Sequence, residues 1–527
     1  MKIKKNYVNI LIILAISVII LIPFAFIGKI YNHDDFLFHK ARLLNYYVSV
    51  SHGNFRPYIF SAMDSSKGYA ADLFYPSFSL LPFTLFYFIS RNFIVSYYLF
   101  LFFVIFLTGI IAYYCGKNIL NNSSKGLMFS AIYNLGTYHL IDLFIRGDIG
   151  ELIMYAFLPV FVVGLLRLYK QQRYGNILVV FSTTIIAYSH PFSILLLFMC
   201  VIFFNVFLLL TKKISLIFLL NEFIILGLCL LTCSNLLAPI FEQMIHAKFN
   251  FMESQPLWPI GLHYNFSNLL MASLSNNAGV WQNISPNIGP FMLIGITLLW
   301  INIKKLSNSN KNILIATTLF FILSSNILIW PFVGKSFLSH IQFEWRLLVF
   351  VSILGSLLLA DTVNKNYFKY TVFGLLLLSI SFNFTVLNNF EYNKVYFSTE
   401  KNITKYAPEV IGGGKEYLVK PHKSKKDSEQ NKLIISPKNY YYGYKLKIGK
   451  KLYDTVKFEN KVAYPIYPNV FSDKNVKLIY KKTSVQKYSE LIAIISILTI
   501  LLYYVFQILQ QRYDNDLNKL NRFIWRN

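Results

Sequence analysis

Long, unbroken apolar runs recur along this 527-residue chain, the first over residues 7–29 and the last over 489–509. A helix needs roughly 20 such residues to cross the hydrocarbon core of a bilayer. In lipid every backbone polar group must find a partner within the segment or barrel, so only helices and closed barrels span. The runs here are continuous and lack the alternation of barrel strands. The chain therefore reads as a polytopic α-helical membrane protein, and its 55% hydrophobic composition agrees. The first run follows Lys2, Lys4 and Lys5 like a signal peptide, but it is too long and no small-residue cleavage site follows, so it reads as a retained span.

Lysine and arginine bias orients the spans. The N-terminal lysines face the cytoplasm, which puts residues 30–92 outside as one long loop. Within it "FYPSFSLLPFTLFYFIS" is apolar, short and broken by two prolines, and reads as an interfacial or re-entrant helix. Alternation then gives about twelve transmembrane helices. They lie over 7–29, 93–115, 126–141 and 152–166. A fifth ends at Ser189-His190, a sixth at Lys212-Lys213, and a seventh covers 214–235. An eighth ends at Lys304-Lys305, a ninth near Trp330 and a tenth near Lys365. The last two cover 367–386 and 489–509. A second outer loop covers 236–287 and holds His246, His263 and Trp281. Both termini face the cytoplasm. The domains are thus a transmembrane domain over 1–386, an outer segment over 387–488, and a last helix with its tail over 489–527.

The outer segment breaks the bias, with 21 lysines among residues 387–488. Long domains translocate largely regardless of charge. "KLIISPKNYYYGYKLKIGKKLYDTVKFENKVAYPIYP" alternates in strand fashion with turn residues between, and predicts a small β-rich extracellular domain. The net charge of +26 would suggest nucleic acid in a soluble protein. Here it suggests an anionic polymer or lipid headgroups, and equally an ordinary solvated lysine-rich surface. Cys115, Cys200, Cys229 and Cys233 all lie in or beside apolar runs, which implies no disulfide framework.

The chemistry concentrates where the first span ends, in "YNHDDFLFHKARL", residues 31–43. On a helix starting near Asp34, positions 35, 39 and 42 share one face. Asp35, His39 and Arg42 then converge at the membrane boundary. A carboxylate there takes a proton from an attacking hydroxyl. An arginine holds a phosphate through two hydrogen bonds, and the histidine does either job or orients the acid. The bland alternative is that Asn32, Asp34 or Asp35 caps the helix while Arg42 reaches for headgroups.

Further motifs follow in order: "GNFRPY" at 53–58; "GYAADLFYP" with Gly68, Tyr69, Tyr75 and Pro76; "RGDIGELIMYAFLP" with Arg146, Gly150, Glu151 and Pro159; Ser189-His190; and "QFEWR", Gln342 to Arg346. With the acid, Phe38-His39 and Arg42, this series resembles the GT-C superfamily of membrane glycosyltransferases. It looks like one branch of them, bacterial membrane proteins labelled "6-pyruvoyl-tetrahydropterin synthase-related", a label that implies no pterin chemistry. The resemblance covers roughly residues 30–350. The chain departs from the pattern at Arg56, which is shifted, and at Ser77 and Glu344, where the branch has proline.

The resemblance implies a GT-C-like fold, interfacial helices in the first outer loop, and a sugar donor carried on polyprenyl phosphate, with inverting transfer by one acid. Nucleotide sugars are cytoplasmic, so an external site needs such a carried donor. Asp35 is then the base, with Asp34 the alternative. Asp148 and Glu151 are candidates for positioning donor or a divalent metal ion, and the competing reading is an ion pair that only fixes two spans. Arg146 and Arg346 are candidates for phosphate, and Trp345-Arg346 reads equally as an interfacial anchor. His190 lines the cavity or simply packs. No Cys/His spacing suggests zinc, and "GGGK" at 412–415 lacks a phosphate-loop pattern.

The sequence thus points to an integral-membrane glycosyltransferase of the bacterial plasma membrane, acting on a cell-envelope glycopolymer or anionic lipid acceptor. Two rivals stand beside it. A lipid-linked glycan flippase needs charges along a path through the bilayer, where Glu222 is the main exception to their clustering at span ends. A non-catalytic assembly protein would use the basic segment to bind envelope polymer.

Overall fold

The computed structural model describes residues 2–252, 264–280, 284–327, 330, 341, 343–406, 409–421, 433–466 and 476–524. His263, Trp281 and Gln342 lie outside the described residues.

Helix α1 (Lys2–Ala25) leads through strand β1 (Ile30–Tyr31) and a turn at Asn32–Asp35 into α2 (Phe36–Ser51). Two short helices, α3 (Ala71–Phe74) and α4 (Leu81–Ser90), complete the first loop. The latter covers only the second part of the two-proline apolar stretch, from Leu81 on, and is 10 residues long. Then follow α5 (Phe93–Ile119), α6 (Ser123–Asn134), α7 (Thr137–Ile141) and α8 (Ile149–Tyr169). Helices α9 (Gly175–Ser189), α10 (Ser193–Leu210), α11 (Leu216–Thr232) and α12 (Ser234–His246) come next. After α13 (Phe266–Ser275) the chain forms α14 (Gly289–Ile301), α15 (Asn308–Leu323), α16 (Leu348–Thr362) and α17 (Phe368–Tyr392). Side-chain caps start many of these: Asn92, Asn122, Asp148, Ser215 and Ser307 each accept from backbone N–H groups of the following turn.

Each of the twelve apolar segments contains a helix, but fewer qualify as spans. Among the described residues seven helices are long and apolar enough to cross a membrane, or eight if α11 and α12, bent by 72° at Cys233, are one. The other four are α6, α9, α14 and α15, of 12, 15, 13 and 16 residues. At about 1.5 Å per residue they fall short of a ~30 Å core. Exposed apolar side chains line much of the last helix, α19, from Leu491 to Phe506, as expected of a helix that faces lipid.

The lysine-rich segment forms small antiparallel sheets and is not a separate bead. After β2 (Phe397–Ser398) and α18 (Glu400–Tyr406), strands β3 (Leu433–Asn439), β4 (Tyr444–Ile448), β5 (Lys451–Asp454), β6 (Val456–Phe458), β7 (Lys461–Pro465) and β8 (Val476–Tyr480) make two three-stranded sheets, ordered β3-β7-β6 and β5-β4-β8. Helix α19 (Ser484–Ile524) follows. Strand β2 pairs antiparallel with β1, directly before the acid pair. The buried Lys40 locks that pairing by donating to Asn32 (3.0 Å) and Ser398 (3.0 Å). Asn439 donates to Asp64 and Gly68 of the first loop, and Gln243 of α12 donates to the Tyr442 carbonyl. Tyr417 and Tyr441 belong to the same buried core as the transmembrane helices.

Candidate functional site

The site is assembled where the first loop meets the α7–α8 connection. Asp142–Arg146 is a π-helical turn, closed by the Gly147 N–H bonding the Asp142 carbonyl five residues back (2.9 Å). Such turns concentrate at functional sites. Gly147 has φ +64°, and a Cβ there would sit 2.9 Å from Cβ of Phe36. That close approach lets the Asp35 N–H reach the Arg146 carbonyl at 3.1 Å. The acid pair is thereby pinned beside the arginine.

Arg146 is the hub. Its Nη1 is 2.6 Å from both Asp142 and Glu151. Its Nη2 is 3.3 Å from Asp148 and 3.5 Å from Asp35, and its Nε is 4.0 Å from Asp34. The guanidinium lies 4.7 Å from the centre of the Trp345 ring. Arg346 approaches the same Glu151 at 3.7 Å and donates to the Ile341 carbonyl. Tyr138 closes the other Glu151 oxygen at 2.6 Å.

Asp148 is a second convergence point. Its Oδ1 accepts from the Tyr75 hydroxyl and from the backbone N–H groups of Gly150 and Glu151, each at 3.1 Å. His39 reaches it at 3.3 Å and His190 at 3.5 Å. Arg42 stands behind this wall. It donates to the carbonyls of Tyr75 and Pro76, meets His39 Nδ1 at 3.1 Å, and stacks 3.8 Å from the Tyr75 ring centre. Arg42 thus orients His39 and Tyr75 and is buried instead of reaching to the surface. Ser193 lies 2.6 Å from His190 Nδ1, and Nε2 faces the Asp148 carboxylate, which can only accept.

Ten residues singled out from sequence therefore meet in one place: Asp34, Asp35, His39, Arg42, Arg146, Asp148, Glu151, His190, Trp345 and Arg346. Most are nearly inaccessible, whereas the Asp35 side chain is 45% exposed. Asp35 precedes α2, yet its side chain makes no capping bond. Asp142 belongs to the cluster more firmly than its sequence context suggests, and nothing in the sequence signals Tyr138.

Five carboxyls around two arginines cannot all ionise easily. Burial raises the pKa of Asp34, with the neighbouring Asp35 adding to it and Arg146 opposing. Asp35 is raised too, although nearly half exposed: the protein packed around its inner side comes first and the Asp148 charge reinforces it, while Arg146, His39 and Arg346 pull it back. Burial also works against charge on Asp148, but His190, His39 and Arg146 outweigh it and hold that carboxyl well below its usual range. Burial pushes His190 down to about 4, so it faces Asp148 as a neutral imidazole. The cluster thus divides its acids: Asp148 is held low, whereas Asp34, Asp35 and the buried Asp142 are raised and accept protons more readily.

The donor set fits a divalent ion poorly. Among the described residues no group of three His, Cys, Asp or Glu side chains is arranged to hold one. The oxygens that would ligate it are turned onto the Arg146 guanidinium. The "GGGK" stretch has a different use: a Cβ on Gly412 or Gly414 would lie 2.5 Å from the Glu416 carboxylate, which folds back into the turn and accepts from the Gly414 N–H. Glu416 lies within electrostatic reach of Asp35, and Tyr417 stacks on Phe74, next to Tyr75. The lysine-rich segment therefore borders the site.

No protein-family model matches this chain, and no curated protein is similar to it.

Proposed function

We propose that the protein is an integral-membrane glycosyltransferase of GT-C type, taking a sugar from a polyprenyl-phosphate carrier at the outer face of the bacterial plasma membrane. The acceptor is a hydroxyl of an envelope glycopolymer or anionic lipid. Its oxygen attacks the anomeric carbon, the bond from that carbon to the phosphate oxygen breaks, and polyprenyl phosphate leaves. The hydroxyl proton passes to Asp35, or to Asp34 if the substrate approaches from that side.

The observation that carries this reading is the exposure contrast at the rim. Asp35 is reachable, has a raised pKa, and stands beside a buried pair of arginines. A base poised above the ordinary carboxylate range takes a proton more effectively. Arg346 is the better candidate for the leaving phosphate, because carboxylates already enclose Arg146. His39, Arg42 and His190 hold Asp148 in place, and Asp148 in turn fixes Arg146 under the acid pair. In this reading the membrane orientation puts both termini in the cytoplasm and the basic sheets outside.

Photo-crosslinking with a benzophenone-bearing polyprenyl phosphate tests it. Labelling should fall on peptides containing Asp35 and Trp345-Arg346, compete with unlabelled polyprenyl phosphate, and drop about tenfold or more in Arg346→Gln, as expected for one lost charge-assisted contact. Labelling confined to lipid-facing residues of α19, unchanged by Arg346→Gln, would overturn it.

A further inference from the structure

We propose that Arg146 is the resident cation of this site, seated where an acidic constellation of this kind would otherwise hold a divalent metal ion. The argument is one of geometry and does not depend on which group is transferred. Five carboxyl groups, from Asp34, Asp35, Asp142, Asp148 and Glu151, converge on one side chain within 4.0 Å. Hard divalent cations are bound by such oxygen sets, at about 2.0–2.6 Å. Two of the oxygens, on Asp142 and Glu151, lie 2.6 Å from the single atom Nη1. An ion placed there would need only a small contraction to bind both, and a rotation of Asp148 would add a third.

The guanidinium meets these oxygens with directional N–H bonds and cannot lose its charge at physiological pH. It is also held covalently, stacked over Trp345 and wedged by the π-helical turn. Positive charge therefore stays in the cluster without a diffusible ion. One further feature fits a permanent occupant: both oxygens of the Asp148 carboxylate already accept hydrogen bonds, Oδ1 from Tyr75 and the N–H groups of Gly150 and Glu151, Oδ2 from Arg146.

The test is Mn²⁺ titration followed by electron paramagnetic resonance, on full-length protein in nanodiscs after EDTA treatment. Wild type should bind no Mn²⁺ at submillimolar concentration. Arg146→Ala, which opens the shell, should gain one Mn²⁺ per chain, roughly 100-fold tighter than any wild-type binding, since carboxylate count tunes such sites over decades. Arg146→Ala combined with Asp148→Asn should lose it again. One Mn²⁺ bound by wild type and lost in Asp148→Asn would overturn the proposal, as would a folded Arg146→Ala protein that binds none. Should Arg146→Ala fold poorly, Mn²⁺ during purification should restore a monodisperse protein. Failure of Mn²⁺ to restore either that variant or Arg146→Gln would count against it equally.

Discussion

Glu151 to glutamine isolates one arm of the arginine hub. The Glu151 carboxylate is fully buried, accepts from Arg146 and from Tyr138 at 2.6 Å each, and faces Arg346 at 3.7 Å. Orphaning a buried charge costs about 3–5 kcal/mol. Arg146 is not orphaned here, because Asp142, Asp148 and Asp35 remain within 3.5 Å. The Tyr138 bond also survives, since glutamine keeps a carbonyl acceptor. What is lost is one charge-assisted hydrogen bond, about 1.5–3 kcal/mol. The expected destabilisation is therefore about 2 kcal/mol, and most of it should vanish when Arg146 is already glutamine. The free cysteines Cys115, Cys200, Cys229 and Cys233 are buried or half-buried, so a thiol-reactive dye reports unfolding directly in detergent. A double-mutant cycle of Glu151→Gln and Arg146→Gln should give coupling near 2 kcal/mol. Coupling indistinguishable from zero would refute the hub.

The acid limb of a transfer rate profile should lie above the ordinary aspartate range. As the proposed base, Asp35 would work only unprotonated, and its raised pKa then means activity falls as pH drops through that raised value. Arg346→Gln removes a charge that lowers this pKa and should move the limb to higher pH, while Asp148→Asn removes one that raises it and should move the limb down. Movement in the same direction for both would contradict the assignment. Gly150→Ala places a Cβ 1.8 Å from the Tyr75 hydroxyl and 2.6 Å from the Ser189 carbonyl. Overpacking of about 1–3 kcal/mol should outweigh the ~1 kcal/mol helix gain, visible as a lowered Tm. Deleting 397–480 should destabilise the whole protein and expose the first loop to protease, because β2 and Asn439 anchor that loop. A deletion variant with unchanged protease resistance would show the sheets to be dispensable.

Much of the architecture was legible because apolar runs and charge bias act locally. Residues 93–115 and 367–386 read directly as helices that extend a little further, to Ile119 and Tyr392. The short helices were not separable from spans. Asn134 is followed at once by the turn at Gly136 and a second helix, and the apolar count runs through both. The 72° bend after Thr232 leaves no mark in an apolar stretch either. At the site, the spacing of Asp35, His39 and Arg42 identified one wall. The roles of the arginines needed tertiary distances: Arg42 is turned to the Tyr75 and Pro76 carbonyls, and Arg146 meets acids from two separated segments only because Gly147 lets them touch. Glu416 lay in a segment whose composition suggested a detached domain, whereas buried tyrosines such as Tyr417 and Tyr441 tie it to the core.

The central claim is that the half-exposed rim acid activates an acceptor. Sugar release from radiolabelled polyprenyl-phosphate donor into envelope material, by membranes matched for protein level, tests it most directly. Asp35→Asn should reduce transfer by about 10²–10⁴-fold, the usual contribution of a positioned base, with thiol-dye stability unchanged. An Asp35→Asn protein that transfers at the wild-type rate while Asp34→Asn does so too would contradict it.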